Sequence, residues 1–164
     1  MLNRSLGVAL VALAATVIPL SAAGGDAREG AAAPCAATVH HGVLPVWMRG
    51  GFSGGKPRIP YVLGKRGAIG GVLFGFPLNA PPAEHKNNKI LWVPRRLSKS
   101  VAALWIRLQQ MDGTKAVGAP VRRIITTGPG PSYVDVPAAG CWRLTLSWSG
   151  RRDTLDLVYV PPKS

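Results

Sequence analysis

From residue 140 onward, large apolar residues alternate with small or polar ones: Gly140-Cys141-Trp142-Arg143-Leu144-Thr145-Leu146-Ser147-Trp148. A period of two belongs to a strand with one buried face. Trp142, Leu144, Leu146 and Trp148 are therefore expected to point into a core, and Cys141, Arg143, Thr145 and Ser147 away from it. After Ser149-Gly150-Arg151-Arg152 the alternation resumes from Asp153 to Val160, with Leu155, Leu157 and Tyr159 on its apolar side. The two runs predict a hairpin. Taking Gly150 and Arg151 as its loop, with Gly at the first position of a type II′ turn, pairs Leu146 with Leu155, Leu144 with Leu157 and Trp142 with Tyr159. A slip of one residue would set these side chains against polar ones, so the buried face holds the pairing. A sheet with one dry face needs a second layer, which the rest of the chain must supply.

The same reading predicts an edge strand over Gly42 to Met48, confined to an edge by Pro45. Strands follow over Ile59 to Leu63, over Ala68 to Phe76 with bulges or close packing at its glycines, and over Lys89 to Val93. Pro77 to Asn88 reads as a loop. Residues 101 to 125 form a second hairpin around Asp112-Gly113, with Leu104, Ile106 and Leu108 answered on one face by Val117, Ala119 and Val121. Gly128-Pro129-Gly130-Pro131 breaks the chain and lets it cross between sheets, ahead of a short strand over Tyr133 to Val136. About eight short strands separated by turn signals, without a helical period, predict an all-β antiparallel sandwich or barrel.

The run Val136-Pro137-Ala138-Ala139-Gly140-Cys141-Trp142-Arg143-Leu144-Thr145-Leu146 resembles the penultimate-strand motif of bacterial immunoglobulin-like modules, in which Pro, a spacer, Gly and an aromatic precede alternating aliphatics. Together with Asn88 to Val93 and Gly67 to Leu78, it is similar to a group of secreted actinobacterial proteins. The resemblance implies an immunoglobulin-like β-sandwich in an exported protein. It carries over no catalytic residue.

Arg4, the apolar run Leu6 to Leu20 and the small residues Ser21-Ala22-Ala23 have the form of a secretory signal over residues 1–23. The apolar run is about fifteen residues, short of the roughly twenty that span a bilayer. An Ala- and Gly-rich leader over 24–39 is expected to be flexible, and the sandwich domain to span 40–162. Export places Cys35 and Cys141, the only cysteines, in an oxidising compartment, so a disulfide between them is expected. Pro34 departs from the small residue that precedes a lipidated bacterial cysteine.

The 164 residues carry 20 Lys and Arg against 7 Asp and Glu, a net charge of +13, or +12 without Arg4. Such a charge attracts anionic surfaces without naming one. Export favours an anionic cell-envelope polymer or a membrane surface over nucleic acid. The expected anion-binding residues are Lys89, Arg95, Arg96, Arg107 and Arg143, because they flank strands. The alternation over 104–109 turns Trp105, Arg107 and Gln109 outward; with Trp47 and Trp92, whose facing the pattern leaves open, Trp105 and Arg107 could form an aromatic and basic platform for sugars or anionic polymers, but the preferred reading is that most of these tryptophans belong to the core.

The candidates for chemistry are thin. Gly51-Phe52-Ser53-Gly54-Gly55 has the spacing of a hydrolase nucleophile elbow, but Lys56-Pro57-Arg58-Ile59-Pro60 does not begin the helix an elbow needs. Asp153 and Asp156 lie three apart on one strand and face opposite sides, which denies them an acid–base pairing. No phosphate-binding or cofactor motif is present, and neither a cofactor nor a small-molecule ligand is implied. The sequence thus points to a secreted non-enzymatic module that binds or supports an extracellular partner. The alternative is a small metal-binding or redox protein using Cys35 with His40 and His41, and Met48 as a soft donor.

Overall fold

The computed structural model describes residues 35, 37, 39–84, 87–98 and 102–162. The expected signal over 1–23 and most of the expected leader lie outside the described residues. Among the described residues nine strands form two sheets: β1 (Tyr61–Leu63), β2 (Ile69–Leu73), β4 (Lys89–Pro94) and β7 (Pro131–Tyr133) in the order β1-β2-β4-β7, and β3 (Leu78–Asn79), β5 (Leu104–Asp112), β6 (Lys115–Ile125), β8 (Gly140–Trp148) and β9 (Arg151–Val160) in the order β3-β9-β8-β5-β6. All pairings are antiparallel except the short β3–β9 contact. The protein is an all-β two-sheet sandwich. Ile69, Leu73, Ile90 and Trp92 of the first sheet meet Leu104, Ile106, Leu108, Trp142, Leu144, Leu146, Leu155 and Leu157 of the second in one buried core.

The C-terminal hairpin forms with the predicted inward face and a different register. Its loop is Ser149-Gly150, with φ of 43° and 70°, and Trp148 pairs with Arg151, Leu144 with Leu155 and Trp142 with Leu157. Two positive φ values make a type I′ turn, whose twist suits a hairpin. The pairing is displaced by two residues from the predicted one, and such a displacement leaves every side chain on its original face. Two polar contacts favour the observed register. Arg143 now lies directly opposite Asp156, with Nε 2.9 Å from Oδ1 and NH2 3.2 Å from Oδ2. Asp153 falls opposite Leu146, where its buried carboxylate is met by backbone donors from the other sheet.

Residues 42–48 do not form the predicted strand. Pro45 precedes a single 3₁₀ turn, Val46–Met48, closed by Met48 N–H to Pro45 C=O at 2.8 Å. Leu44 and Met48 fall on one side of it and, with Tyr61 and Val72, build a second small core on the outer face of the first sheet. This cover explains why all five residues of β2 are buried. Gly70 makes room for it, since a Cβ there would stand 2.7 Å from Met48 Sδ.

In the second hairpin Asp112 pairs with Lys115, which leaves Gly113-Thr114 as the loop. Between Leu108↔Val121 and Gln110↔Val117 the β6 strand bulges at residues 118–120, so Ala119 is exposed instead of facing the core. Gln109 Nε2 fills the gap by donating to Val117 C=O at 2.8 Å and to Gly118 C=O at 3.2 Å. The bulge, Pro120 and the charges of Lys115, Arg122 and Arg123 guard this edge strand against pairing with another chain. The strand expected at 133–136 lies at 131–133 instead, while Val134 and Val136 remain buried. Cys35 and Cys141 form the expected disulfide, which ties the chain before the domain to the outer side of β8.

Candidate functional site

Antiparallel pairing brings two basic segments to one end of the first sheet. The β1–β2 turn carries Lys65 and Arg66, and because Ile69 pairs with Pro94, the end of β4 delivers Arg95 and Arg96 beside that turn. Arg95 N–H donates to Ala68 C=O at 2.9 Å. The sandwich places the β8–β9 turn, with Arg151 and Arg152 at the start of β9, at the same end. Arg151 reaches across from the second sheet, its NH1 donating to Arg96 C=O at 2.6 Å.

A buried carboxylate locks the two layers together here. Asp153 accepts from the backbone N–H of Arg66 at 3.0 Å, Ala68 at 2.9 Å and Thr154 at 2.8 Å. Lys65 N–H donates to Thr154 C=O at 2.7 Å, so the β1–β2 turn is stitched to β9 by backbone as well. Gly64 allows this approach, since a Cβ there would collide with the Asp153 carboxylate. The turn that presents Arg66 is thus held by the strand that presents Arg151.

The result is a cleft of about 320 Å³ lined by Arg66, Gly67, Ala68, Arg95, Arg96 and Arg151. Among the described residues no carboxylate forms an ion pair with any of these four guanidinium groups. The Asp153 carboxylate lies in the neighbouring depression with Arg66 and Arg152, its oxygens occupied by backbone donors. Like charges held together repel, and an anion entering between them relieves that repulsion. Guanidinium groups also meet oxyanions through paired N–H donors.

Of the five residues expected to bind an anion, the structure brings Arg95 and Arg96 together and scatters the other three. Lys89 lies at the opposite end of β4, roughly 20 Å from Arg95 at about 3.3 Å per residue, with its ammonium 5.7 Å from the centre of the Phe74 ring. Arg107 is on the outer face of the second sheet and donates to Gln109 Oε1 at 3.2 Å. Arg143 is engaged by Asp156, which also has Lys65 at 3.4 Å. Burial alone would raise the Asp156 carboxyl, but the Arg143 hydrogen bonds and charge, with help from Lys65, outweigh it and hold the carboxyl below the usual range. Sequence reasoning missed Arg66, Arg151 and Arg152. Arg66 sits in the β1–β2 turn, and Arg151 and Arg152 open β9 just after the β8–β9 turn, but which turns share an end is a matter of how the sheets stack.

Trp105 is exposed, as the alternation predicted, at 55% of its surface. Its cross-strand neighbours on the outer face are Ser147 and then Arg152 on one side and Ile124 on the other. The next row of that face is Thr154, Thr145, Arg107 and Arg122. Trp92 is buried in the main core with Nε1 donating to Ser132 Oγ at 3.1 Å, and Trp47 packs on the small core, so neither joins Trp105.

The metal-binding alternative loses its thiolate, because Cys35 is bonded to Cys141. His40 stacks on Tyr61 at 4.8 Å, His41 meets the edge of Phe76 at 5.4 Å, and Met48 is fully buried in the small core. Among the described residues no three His, Cys, Asp or Glu side chains are grouped to hold a metal. Ser53 lies in an exposed bend with no helix after it. No known family, curated protein or solved structure is detectably similar to this chain.

Proposed function

We propose that this protein is an exported, non-enzymatic immunoglobulin-like module that binds an anionic extracellular partner through the arginine cleft. The observation that carries the reading is the convergence of Arg66, Arg95, Arg96 and Arg151 in one cleft with no ion-paired carboxylate among the described residues. The disulfide is compatible with an oxidising extracellular setting, and among the described residues no helix is long and apolar enough to cross a membrane. The immunoglobulin-like assignment is supported by strand order. β2, β4 and β7 lie together as strands A, B and E do, and β5, β8 and β9 as C, F and G, with β6 in the C′ place.

The test is titration of the purified, oxidised protein with long-chain polyphosphate at several salt concentrations. If three or four charges are neutralised, at about 0.7 counterions released per charge, affinity falls roughly 20- to 50-fold for a fourfold rise in salt. Reversing charge with Arg95→Glu and Arg96→Glu abolishes the interaction, while Lys89→Glu at the far end leaves most of it. Absence of binding at low salt, or equal sensitivity to Lys89→Glu, would sink the proposal.

A further inference from the structure

We infer that the anionic partner is an acidic polysaccharide, with the acidic group held in the arginine cleft and a neighbouring sugar ring lying on Trp105. This rests on the anion-binding reading above and names its ligand class. Arg151 lines the cleft and also a shallow groove of about 500 Å³ bordered by Trp105, Ser147, Trp148 and Arg152, so the two depressions adjoin at Arg151. A ligand held by its anion in the cleft therefore has a path toward an exposed indole. Trp92, Trp142 and Trp148 are buried, whereas Trp105 stays open on a sheet face, where core packing does not account for its size. Two strand spacings, about 10 Å, separate it from Arg152, and Ser147 between them leaves a low hydroxyl-bearing floor.

These are the features a pyranose uses. Its C–H face packs on an aromatic ring, its hydroxyls need polar partners, and an acidic substituent needs a cation. A single-stranded nucleic acid is matched by successive aromatic platforms, whereas the outer-face neighbours of Trp105 across the sheet are Ser147 and the aliphatic Ile124. A bilayer is entered by grouped apolar side chains, whereas Trp105 shares this face with Ser147, Arg107 and Arg152.

The experiment compares dextran sulfate, neutral dextran, polyphosphate of matched charge, oligothymidylate and phosphatidylglycerol vesicles at fixed salt. The protein is the full oxidised chain, alone and with Trp105→Ala, Trp105→Phe or the Arg95→Glu/Arg96→Glu pair. Dextran sulfate is expected to bind more tightly than polyphosphate, and neutral dextran not measurably. Trp105→Ala should weaken dextran sulfate about tenfold, the effect of losing one stacking contact, and change polyphosphate less than twofold. Trp105→Phe should restore most of the loss. The arginine pair should weaken both polymers. If Trp105→Ala leaves dextran sulfate unchanged while the arginine pair weakens both, the sugar contact is refuted and the anion site stands. If neither polymer binds, the anion site itself is refuted. Tighter, Trp105-dependent binding of oligothymidylate or vesicles would replace the polysaccharide with that partner.

Discussion

Replacing Asp153 with alanine tests how the sandwich builds its basic end. The carboxylate accepts three backbone N–H groups, two of them from the turn of the opposite sheet, and is itself almost wholly buried. A hydrogen bond to an ionised acceptor contributes about 1.5–3 kcal/mol, so three would total roughly 5–9 kcal/mol. The turn lies at the rim, where water replaces part of what is lost, and the net destabilisation is expected to be about 3–4 kcal/mol. With a urea m-value of about 1.5 kcal/mol/M, the midpoint would fall by roughly 2–2.7 M. Asp153→Asn, which keeps a carbonyl acceptor, should fall between, and Asp112→Ala at an exposed turn should stay within about 0.5 kcal/mol of wild type.

The same variant separates electrostatics from preorganisation in the cleft. Deleting a negative charge beside the arginines would by Coulomb attraction alone tighten polyphosphate binding, about twofold for unit charges on the order of 8 Å apart in a water-like dielectric. Releasing the 64–68 turn acts the other way, since each residue that must be ordered on binding costs about 1–2 kcal/mol. Ordering should win, so Asp153→Ala, measured without denaturant where it remains folded, should bind polyphosphate more weakly than wild type. A stability loss under about 1 kcal/mol, or tighter binding, would refute this account of the turn.

Three further outcomes are expected. Gly64→Ala should destabilise by about 2 kcal/mol or more in urea melts, because its Cβ has no room beside the Asp153 carboxylate. Asp156→Asn should cost about 1–2 kcal/mol at neutral pH, a buried pair discounted for the solvent exposure of Arg143. The Asp156 carboxyl is depressed in the fold, so its contribution is present above the unfolded carboxyl value, near pH 4, and is lost as pH falls through the folded value. The gap between wild type and Asp156→Asn should therefore close in acid, as read by melts between pH 7 and pH 2. Replacing Cys35 and Cys141 with serine opens a loop of 106 residues and should remove about 2–4 kcal/mol, with reductant shifting the wild-type urea midpoint toward that of the variant.

The sequence by itself determined which residues face inward along β5, β8 and β9, because the side-chain period of a strand is two and a mixed face is costly to bury. It also paired the two cysteines and marked Trp105 as exposed. It could not choose between hairpin registers two residues apart, since both bury the same side chains. The tertiary structure shows the register in which Asp153 meets the β1–β2 turn and Asp156 meets Arg143. Residues 42–48 misled because Leu44 and Met48 serve a second core that exists only once the first sheet has an outer face to cover. The cleft was half legible: Arg95 and Arg96 flank a strand, and the pairing of β2 with β4 is enough to bring Arg66 beside them. Arg151 joins them from 55 residues beyond Arg96. No pattern along the chain records that meeting, because it depends on which ends of two stacked sheets coincide.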